Sequence, residues 1–233
     1  MPKFAKTVYL IPCNLGTSTD FLSPEITDAI LACDFFFCEN PRTTRRFLKG
    51  LTAKPIQDIL FIPLDKRSSK RDLEDLLPTT PWKAVGYLSE AGLPCLADPG
   101  QVLVDYGHQQ GWQIRPISGP SSILLTAMAS GLNGQQFCFR GYLPKKETDQ
   151  KAFWRSVAAR IQQDNETQIF MDTPYRSQEV FERVLQQIDP HLKLCLGVSL
   201  HNEDQWIKTR TVSDWKREKV AIKGLPTMFA LGR

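Results

Sequence analysis

The apolar run Ala84-Val85-Gly86-Tyr87-Leu88, followed at once by Ser89-Glu90-Ala91-Gly92-Leu93-Pro94-Cys95-Leu96-Ala97-Asp98-Pro99-Gly100, constrains the fold more than any other stretch of the chain. A run this apolar predicts a strand covered on both faces, as in the centre of a parallel sheet. The loop behind it holds Gly92, Pro94, Pro99 and Gly100, which fix an unusual backbone path and can leave N–H groups facing a ligand rather than a ladder. Residues 101–110 read as a helix, with Asp98 as its candidate cap. Loops between a strand's carboxyl end and the next helix are where open α/β sheets bind ligands.

The first half of the chain repeats this unit. Residues 7–11 predict a strand, followed by the turn-rich Pro12-Cys13-Asn14-Leu15-Gly16-Thr17-Ser18. Ser23-Pro24-Glu25 opens a helix as cap, first residue and first-turn acid, with Ile26, Ile30 and Leu31 as its apolar side. Residues 35–38 give a second strand, and a helix over about 42–51 follows Glu39-Asn40-Pro41. Residues 61–64, 71–77, 84–88 and 113–117 continue the alternation of strand and helix, and a small-residue helix runs from the Ser118-Gly119-Pro120-Ser121-Ser122 turn to Ser130. Such alternation predicts a mostly parallel sheet with right-handed crossovers. A domain boundary near Ser118 divides the chain into 1–117 and 118–233.

The second half differs in texture. Strands are expected at 137–140, 167–171, 193–200, 205–211 and 227–231, and helices at 148–162, with Phe153, Trp154, Val157 and Ile161 inward, and at 177–188. Late strands that follow one another directly predict a mixed sheet.

Composition narrows the classes. A chain of 233 residues with 42% hydrophobic and 23% charged residues has ample material for a core and no low-complexity interruption. No apolar stretch is long enough for a membrane span, and Met1-Pro2-Lys3-Phe4-Ala5-Lys6 lacks a secretion signal's core, so a cytoplasmic location is expected. Six scattered cysteines without a CxxC pair read as free thiols, and three isolated histidines give no ligand spacing, so no metal is expected.

Net charge is only +4, yet the cations are clustered. Arg42, Arg45, Arg46 and Lys49 share one face of a predicted helix; Lys66, Arg67, Lys70 and Arg71 form a second cluster, and Lys145, Lys146, Lys151 and Arg155 a third. A stripe of this kind serves as a solvated face or as a grip on a polyanion, because phosphate contacts need local rather than net positive charge.

No GxGxxG follows the first strand, and neither GxxxxGK[ST] nor GxSxG occurs. What remains is the ordered set Glu39-Asn40-Pro41-Arg42-Thr43-Thr44, the loop from Ser89 to Gly100, Ile117-Ser118-Gly119-Pro120-Ser121-Ser122 and Phe137-Cys138-Phe139-Arg140-Gly141-Tyr142-Leu143-Pro144-Lys145, with Asp172-Thr173-Pro174-Tyr175-Arg176 later. In this order the blocks resemble the tetrapyrrole methylase superfamily, and within it the ribosomal RNA small subunit methyltransferase I family, over about residues 8–231.

The resemblance implies two α/β domains, a mostly parallel N-terminal sheet and a mixed C-terminal sheet, with S-adenosyl-L-methionine in the cleft between them, and a homodimer. It implies that Pro12, Gly92, Leu93, Ser121, Ser122, Met171, Leu200, Pro226 and Thr227 approach the cofactor. It also implies 2′-O-methylation of a ribose in 16S ribosomal RNA, with RNA or the small ribosomal subunit as partner. Glu39 or Glu90 is then the candidate to orient or deprotonate the acceptor, and Arg42, Arg45, Arg46 and Lys145 the candidates to hold phosphates. Ser121-Ser122 also fits a plain helix cap, and Met171 a core residue.

The chain departs from the family pattern in several places. Its first loop, Pro12-Cys13-Asn14-Leu15-Gly16, is one residue shorter than Pro-Ile-Gly-Asn-Leu-Gly; Glu-Asp-Thr-Arg becomes Glu39-Asn40-Pro41-Arg42; Ser-Asp-Ala-Gly becomes Ser89-Glu90-Ala91-Gly92; and Tyr175 replaces a histidine. Two other functions compete: methylation of a small molecule such as a tetrapyrrole or corrinoid precursor, and RNA association by a cofactor-binding protein without catalysis.

Overall fold

The structure, a computed structural model, describes residues 5–17 and 21–233. The expected end of the first loop, Ser18, lies outside the described residues. The chain divides into two compact units, residues 1–120 and 121–233.

The N-terminal unit alternates strand and helix throughout: β1 (Thr7–Leu10), α1 (Pro24–Ala32), β2 (Phe35–Cys38), α2 (Pro41–Leu48), β3 (Phe61–Pro63), α3 (Lys70–Leu76), β4 (Ala84–Leu88), α4 (Gln101–Gln109) and β5 (Gln113–Pro116). The sheet order is β3-β2-β4-β1-β5, and every pairing is parallel. β2 and β4 are buried along their whole length, which explains why neither shows an alternating pattern in the sequence. Successive residues of β2 point to opposite sides, so Phe36 packs with Phe61 on one face while Phe35 and Phe37 join Trp82, Leu103 and Trp112 on the other. Burying each such ring contributes about 2–3 kcal/mol.

Local signals set the helix ends. Ser23 accepts from the Ile26 N–H and Pro24 occupies the first turn of α1, as expected, but the helix buries Ile26, Ala29 and Ile30 while Leu31 is 48% exposed. Leu31 lies beyond the narrow stripe that a helix of nine residues turns to the sheet. α2 starts one residue earlier than expected and ends at Leu48, before Leu51; Asn40 caps it by accepting from the N–H groups of Arg42 and Thr43. Asp98 does not cap α4. Gly100, at φ 118°, holds that position without a side-chain bond, because the chain enters the helix through a left-handed residue.

The C-terminal unit comprises α5 (Ser122–Ala129), β6 (Phe137–Tyr142), α6 (Glu147–Asp164), β7 (Thr167–Met171), α7 (Ser177–Gln187), β8 (Lys193–Val198), β9 (Trp206–Thr211), α8 (Val212–Trp215) and β10 (Thr227–Gly232). Its sheet is mixed, in the order β6-β7-β10-β8-β9: β6 pairs parallel with β7 and the remaining ladders are antiparallel. α6 buries Trp154, Val157 and Ile161 against one face of the sheet, and Phe153 is only partly covered. α5 lies with the opposite face, where Ile123 and Leu125 pack with Ile169, Cys195 and Met228. The short α8, absent from the sequence expectation, is capped by Thr211 and anchored by Trp215, whose Nε1–H donates to the Leu194 carbonyl over 2.8 Å.

All six cysteines are free. Among the described residues, no helix is long and apolar enough to cross a membrane, and no group of three or more His, Cys, Asp or Glu is disposed to hold a metal ion.

Candidate functional site

Because all five N-terminal strands run parallel, the loops after β1, β2, β4 and β5 leave the same edge of that sheet. Two backbone bonds close the first onto the third: Cys13 N–H donates to the Gly92 carbonyl over 2.8 Å, and Gly92 N–H donates back over 3.2 Å. The Gly92 amide is therefore engaged within the loops, whereas the N–H of Leu93 has no partner among the described residues. Gly92 sits at φ 66°. A Cβ on Gly119 would lie 2.5 Å from Pro12 Cγ and 3.5 Å from Leu93, so that glycine lets the fourth loop pass against the first and third. Pro12, Gly92 and Leu93 are thus brought together within the N-terminal unit, despite the shortened first loop.

The second and third loops share an acidic cluster. β2 pairs with β4 so that Cys38 lies opposite Leu88, which sets Glu39 beside Ser89 and Glu90. Glu90 N–H donates to Glu39 Oε2 over 3.2 Å. The Glu90 carboxylate is itself held: its Oε1 accepts from Asn40 Nδ2 over 3.0 Å and from Thr43 Oγ1 over 3.2 Å. Asn40 thus caps α2 with its oxygen and grips Glu90 with its nitrogen, while Pro41 starts the helix, so the altered Glu-Asn-Pro-Arg block still builds a rigid junction.

Burial first, and then the negative charge of Asp98, raise the proton affinity of Glu39 above the ordinary carboxylate range, while the hydrogen bond from Glu90 N–H acts the other way. Asp98 is raised as well, by burial, against the opposing effects of a Ser89 hydrogen bond and the Lys66 charge. The sequence places Asp98 in the same loop as Glu90 and offers it as a cap; its place in this cluster depends on a loop path through Cys95 and Ala97, both at φ 68°, a conformation that costs about 1 kcal/mol or more for residues with a Cβ. Beneath the cluster, Tyr87 is fully buried and its hydroxyl has no partner among the described residues; burial, with Cys95, Glu39 and Asp98 nearby, drives its proton affinity upward. Burial and Asp98 likewise push the Cys13 thiol up to about 12, so it is not an ionised nucleophile at neutral pH. Lys66 and Asp98 also line an open depression of about 420 Å³ at the start of α4.

Arg42, Arg45, Arg46 and Lys49 are exposed, in keeping with a single cationic face, and Arg45 lies 5.0 Å from the centre of the Phe61 ring. Of the second cluster, Arg67 pairs with Asp65 and Lys70 with Gln109.

In the C-terminal unit, Met171, Leu200, Pro226 and Thr227 meet at one end of the sheet. Met228 lies opposite Met171, Thr227 lies opposite Val198, and Ser199 N–H donates to the Pro226 carbonyl over 2.9 Å. Leu200 and Thr227 are buried, Met171 is half-buried and Pro226 is exposed. Ser121 is the cap of α5, its hydroxyl accepting from the Leu124 N–H over 3.4 Å, and Ser122 is the first helical residue. Lys145 is exposed in the segment after β6. Another depression, of about 330 Å³ between α6 and α7, contains none of these residues.

No family model matches the chain. It is 30% identical over 183 residues to a protein of Streptococcus pyogenes serotype M6 named ribosomal RNA small subunit methyltransferase I, a match that covers 78% of this chain and 61% of that protein. The chain therefore spans less than two thirds of that relative's length. Among solved structures, the methyltransferase CobJ superposes with a TM-score of 0.62 at 18% identity, over 99% of this chain and 95% of that one. Uroporphyrin III C-methyl transferase from Thermus thermophilus superposes with a TM-score of 0.56 at 16% identity, over 97% of each chain. At these identities the likeness establishes the fold.

Proposed function

We propose that this chain, which has the fold of the tetrapyrrole methylases and is related in sequence to proteins named ribosomal RNA small subunit methyltransferase I, is an S-adenosyl-L-methionine-dependent methyltransferase that 2′-O-methylates a ribose in 16S ribosomal RNA. The observation that carries this reading is Glu39, a half-buried carboxylate of raised proton affinity at the edge where the N-terminal loops gather. A neutral ribose hydroxyl is a poor nucleophile, and a base poised above the ordinary carboxylate range takes its proton more readily.

The residues present fit the cofactor. The Leu93 N–H has no partner among the described residues and can donate, and Met171 with Leu200 offers an apolar wall. Pro12, Gly92, Leu93, Ser121, Ser122, Met171, Leu200, Pro226 and Thr227 are the residues that would hold it. Bound there, S-adenosyl-L-methionine supplies an electrophilic methyl group. Glu39 accepts the ribose proton. Glu90, its carboxylate occupied by Asn40 and Thr43, fixes Glu39 through its backbone N–H and is a positioning residue. Arg42, Arg45, Arg46 and Lys145, all exposed, hold phosphates so that the acceptor hydroxyl stays in line, which supplies much of the rate. The protein works in the cytoplasm as a homodimer.

The test incubates the protein with methyl-labelled S-adenosyl-L-methionine and, separately, total RNA, small ribosomal subunits and a small-molecule extract. Label recovered as a 2′-O-methylated nucleoside supports the proposal. Label only in the small-molecule fraction replaces it with a tetrapyrrole-type substrate, and cofactor binding without transfer to any fraction replaces it with a non-catalytic RNA-associated role.

A further inference from the structure

One end of the C-terminal sheet presents aromatic and cationic side chains that the roles assigned above leave mostly unused. β6 and β7 are parallel, so Leu143-Pro144-Lys145-Lys146 and Asp172-Thr173-Pro174-Tyr175 leave the sheet at the same end, and Leu143 N–H donates to the Met171 carbonyl over 3.2 Å. β10 is antiparallel to β7, so Lys223 and Gly224 approach that end as well, where Gly224 N–H donates to the Pro174 carbonyl over 2.9 Å.

Tyr175 is 86% exposed on the single 3₁₀ turn Pro174–Arg176. The turn is braced. Arg176 Nη1 lies 3.1 Å from Asp172 Oδ2 and its Nε 3.5 Å from Glu179, while Arg176 N–H donates to the Thr173 carbonyl over 2.9 Å. Tyr142, opposite Met171, is 48% exposed. Lys145, Lys146 and Lys223 are exposed and form no ion pair among the described residues. A bare ring on a fixed turn, at an end of the sheet that also carries exposed lysines without an ion pair, suits a flexible polyanion that carries flat apolar faces. Unpaired bases stack on such rings, and their phosphates need nearby cations.

We infer that this end of the C-terminal sheet binds single-stranded RNA, with an unpaired base stacked on Tyr175 and flanking phosphates held by Lys145, Lys146 and Lys223. The inference rests on the RNA substrate proposed above. Tyr175 offers a larger stacking surface than the histidine of the resembled block.

The experiment measures anisotropy of a fluorescent twelve-nucleotide single-stranded RNA, and of the same sequence as a duplex, with the full chain and its variants. Tyr175→Ala should weaken single-strand binding about 5- to 150-fold, with an unchanged unfolding midpoint, and should leave duplex binding within about twofold. Tyr175→Phe should retain affinity, and Lys223→Gln should lower the salt slope by about 0.7. Equal losses in the Phe and Ala variants would overturn stacking, as would a duplex preference in the unsubstituted chain. A Tyr175→Ala change that alters only the sedimentation mass would assign the ring to a second copy instead. Binding is read without methyl transfer, so a chain that binds as described yet methylates no RNA refutes the proposed activity and leaves this surface standing.

Discussion

The backbone N–H of Glu90 donates to the carboxylate of Glu39 over 3.2 Å, tying the end of one buried strand to the loop after its neighbour. Despite that bond, burial and Asp98 keep the Glu39 proton affinity raised. A carboxyl that holds its proton more tightly when folded loses stabilisation as pH rises above the ordinary value near 4.5, and the deficit persists at neutral pH. Glu39→Gln keeps an acceptor for Glu90 N–H and removes the charge. It should raise the urea midpoint at pH 7, match the parent near pH 4, and slow single-turnover methyl transfer about 100-fold or more. A lowered midpoint at pH 7 would contradict the electrostatic account, and an unchanged rate would remove Glu39 as base.

Asn40 performs two tasks with one side chain, accepting from the first turn of α2 and donating to Glu90. Asn40→Ala should cost about 1–2 kcal/mol in urea unfolding, the upper end reflecting the lost grip on Glu90. Asn40→Asp keeps the cap but sets a carboxylate against another, and should fall between. An Asn40→Asp variant as stable as the parent would show that the bond to Glu90 carries nothing.

The cationic face of α2, the Ser23-Pro24 helix start and the alternation of strands and helices were legible because each is local, set by residues a few positions apart. The acidic cluster was only partly legible. Glu39 and Glu90 stand out by their loops, but that Asp98 joins them follows from β2–β4 pairing and from left-handed residues in the loop, neither of which leaves a periodic trace. Leu31 shows the converse: an apolar residue at helical spacing that remains in solvent because the helix meets the sheet along a narrower stripe.

Asp34 gives the opposite pH signature. Burial raises its proton affinity, but hydrogen bonds from Lys83 N–H at 2.8 Å and Ala84 N–H at 3.0 Å outweigh it, and the net direction is down. Its contribution is present above the ordinary value of 3.8 and is lost as pH falls through the lower folded value. Asp34→Ala should cost about 1 kcal/mol at pH 7, the side chain being exposed, with the gap to the parent closing in acid. Urea titrations across pH 2 to 7 should therefore give slopes of opposite sign for Asp34→Ala and Glu39→Gln.

Gly100 is tested against Gly50, since both have positive φ, at 118° and 86°. Among the described residues nothing lies within 4 Å of a Cβ on Gly50, so Gly50→Ala carries only backbone strain, about 1 kcal/mol. A Cβ on Gly100 would enter the space of the Tyr87 ring and stand 2.7 Å from Cys95 Sγ. Tyr87 is fully buried and cannot retreat without opening the core. Gly100→Ala should therefore cost about 3 kcal/mol or more, and Tyr87→Phe should not relieve it, because the clash is with ring carbons that phenylalanine keeps. Relief by Tyr87→Phe, or a cost no larger than at Gly50, would show that the loop moves away from the ring and that the acidic cluster does not depend on the seat Gly100 provides.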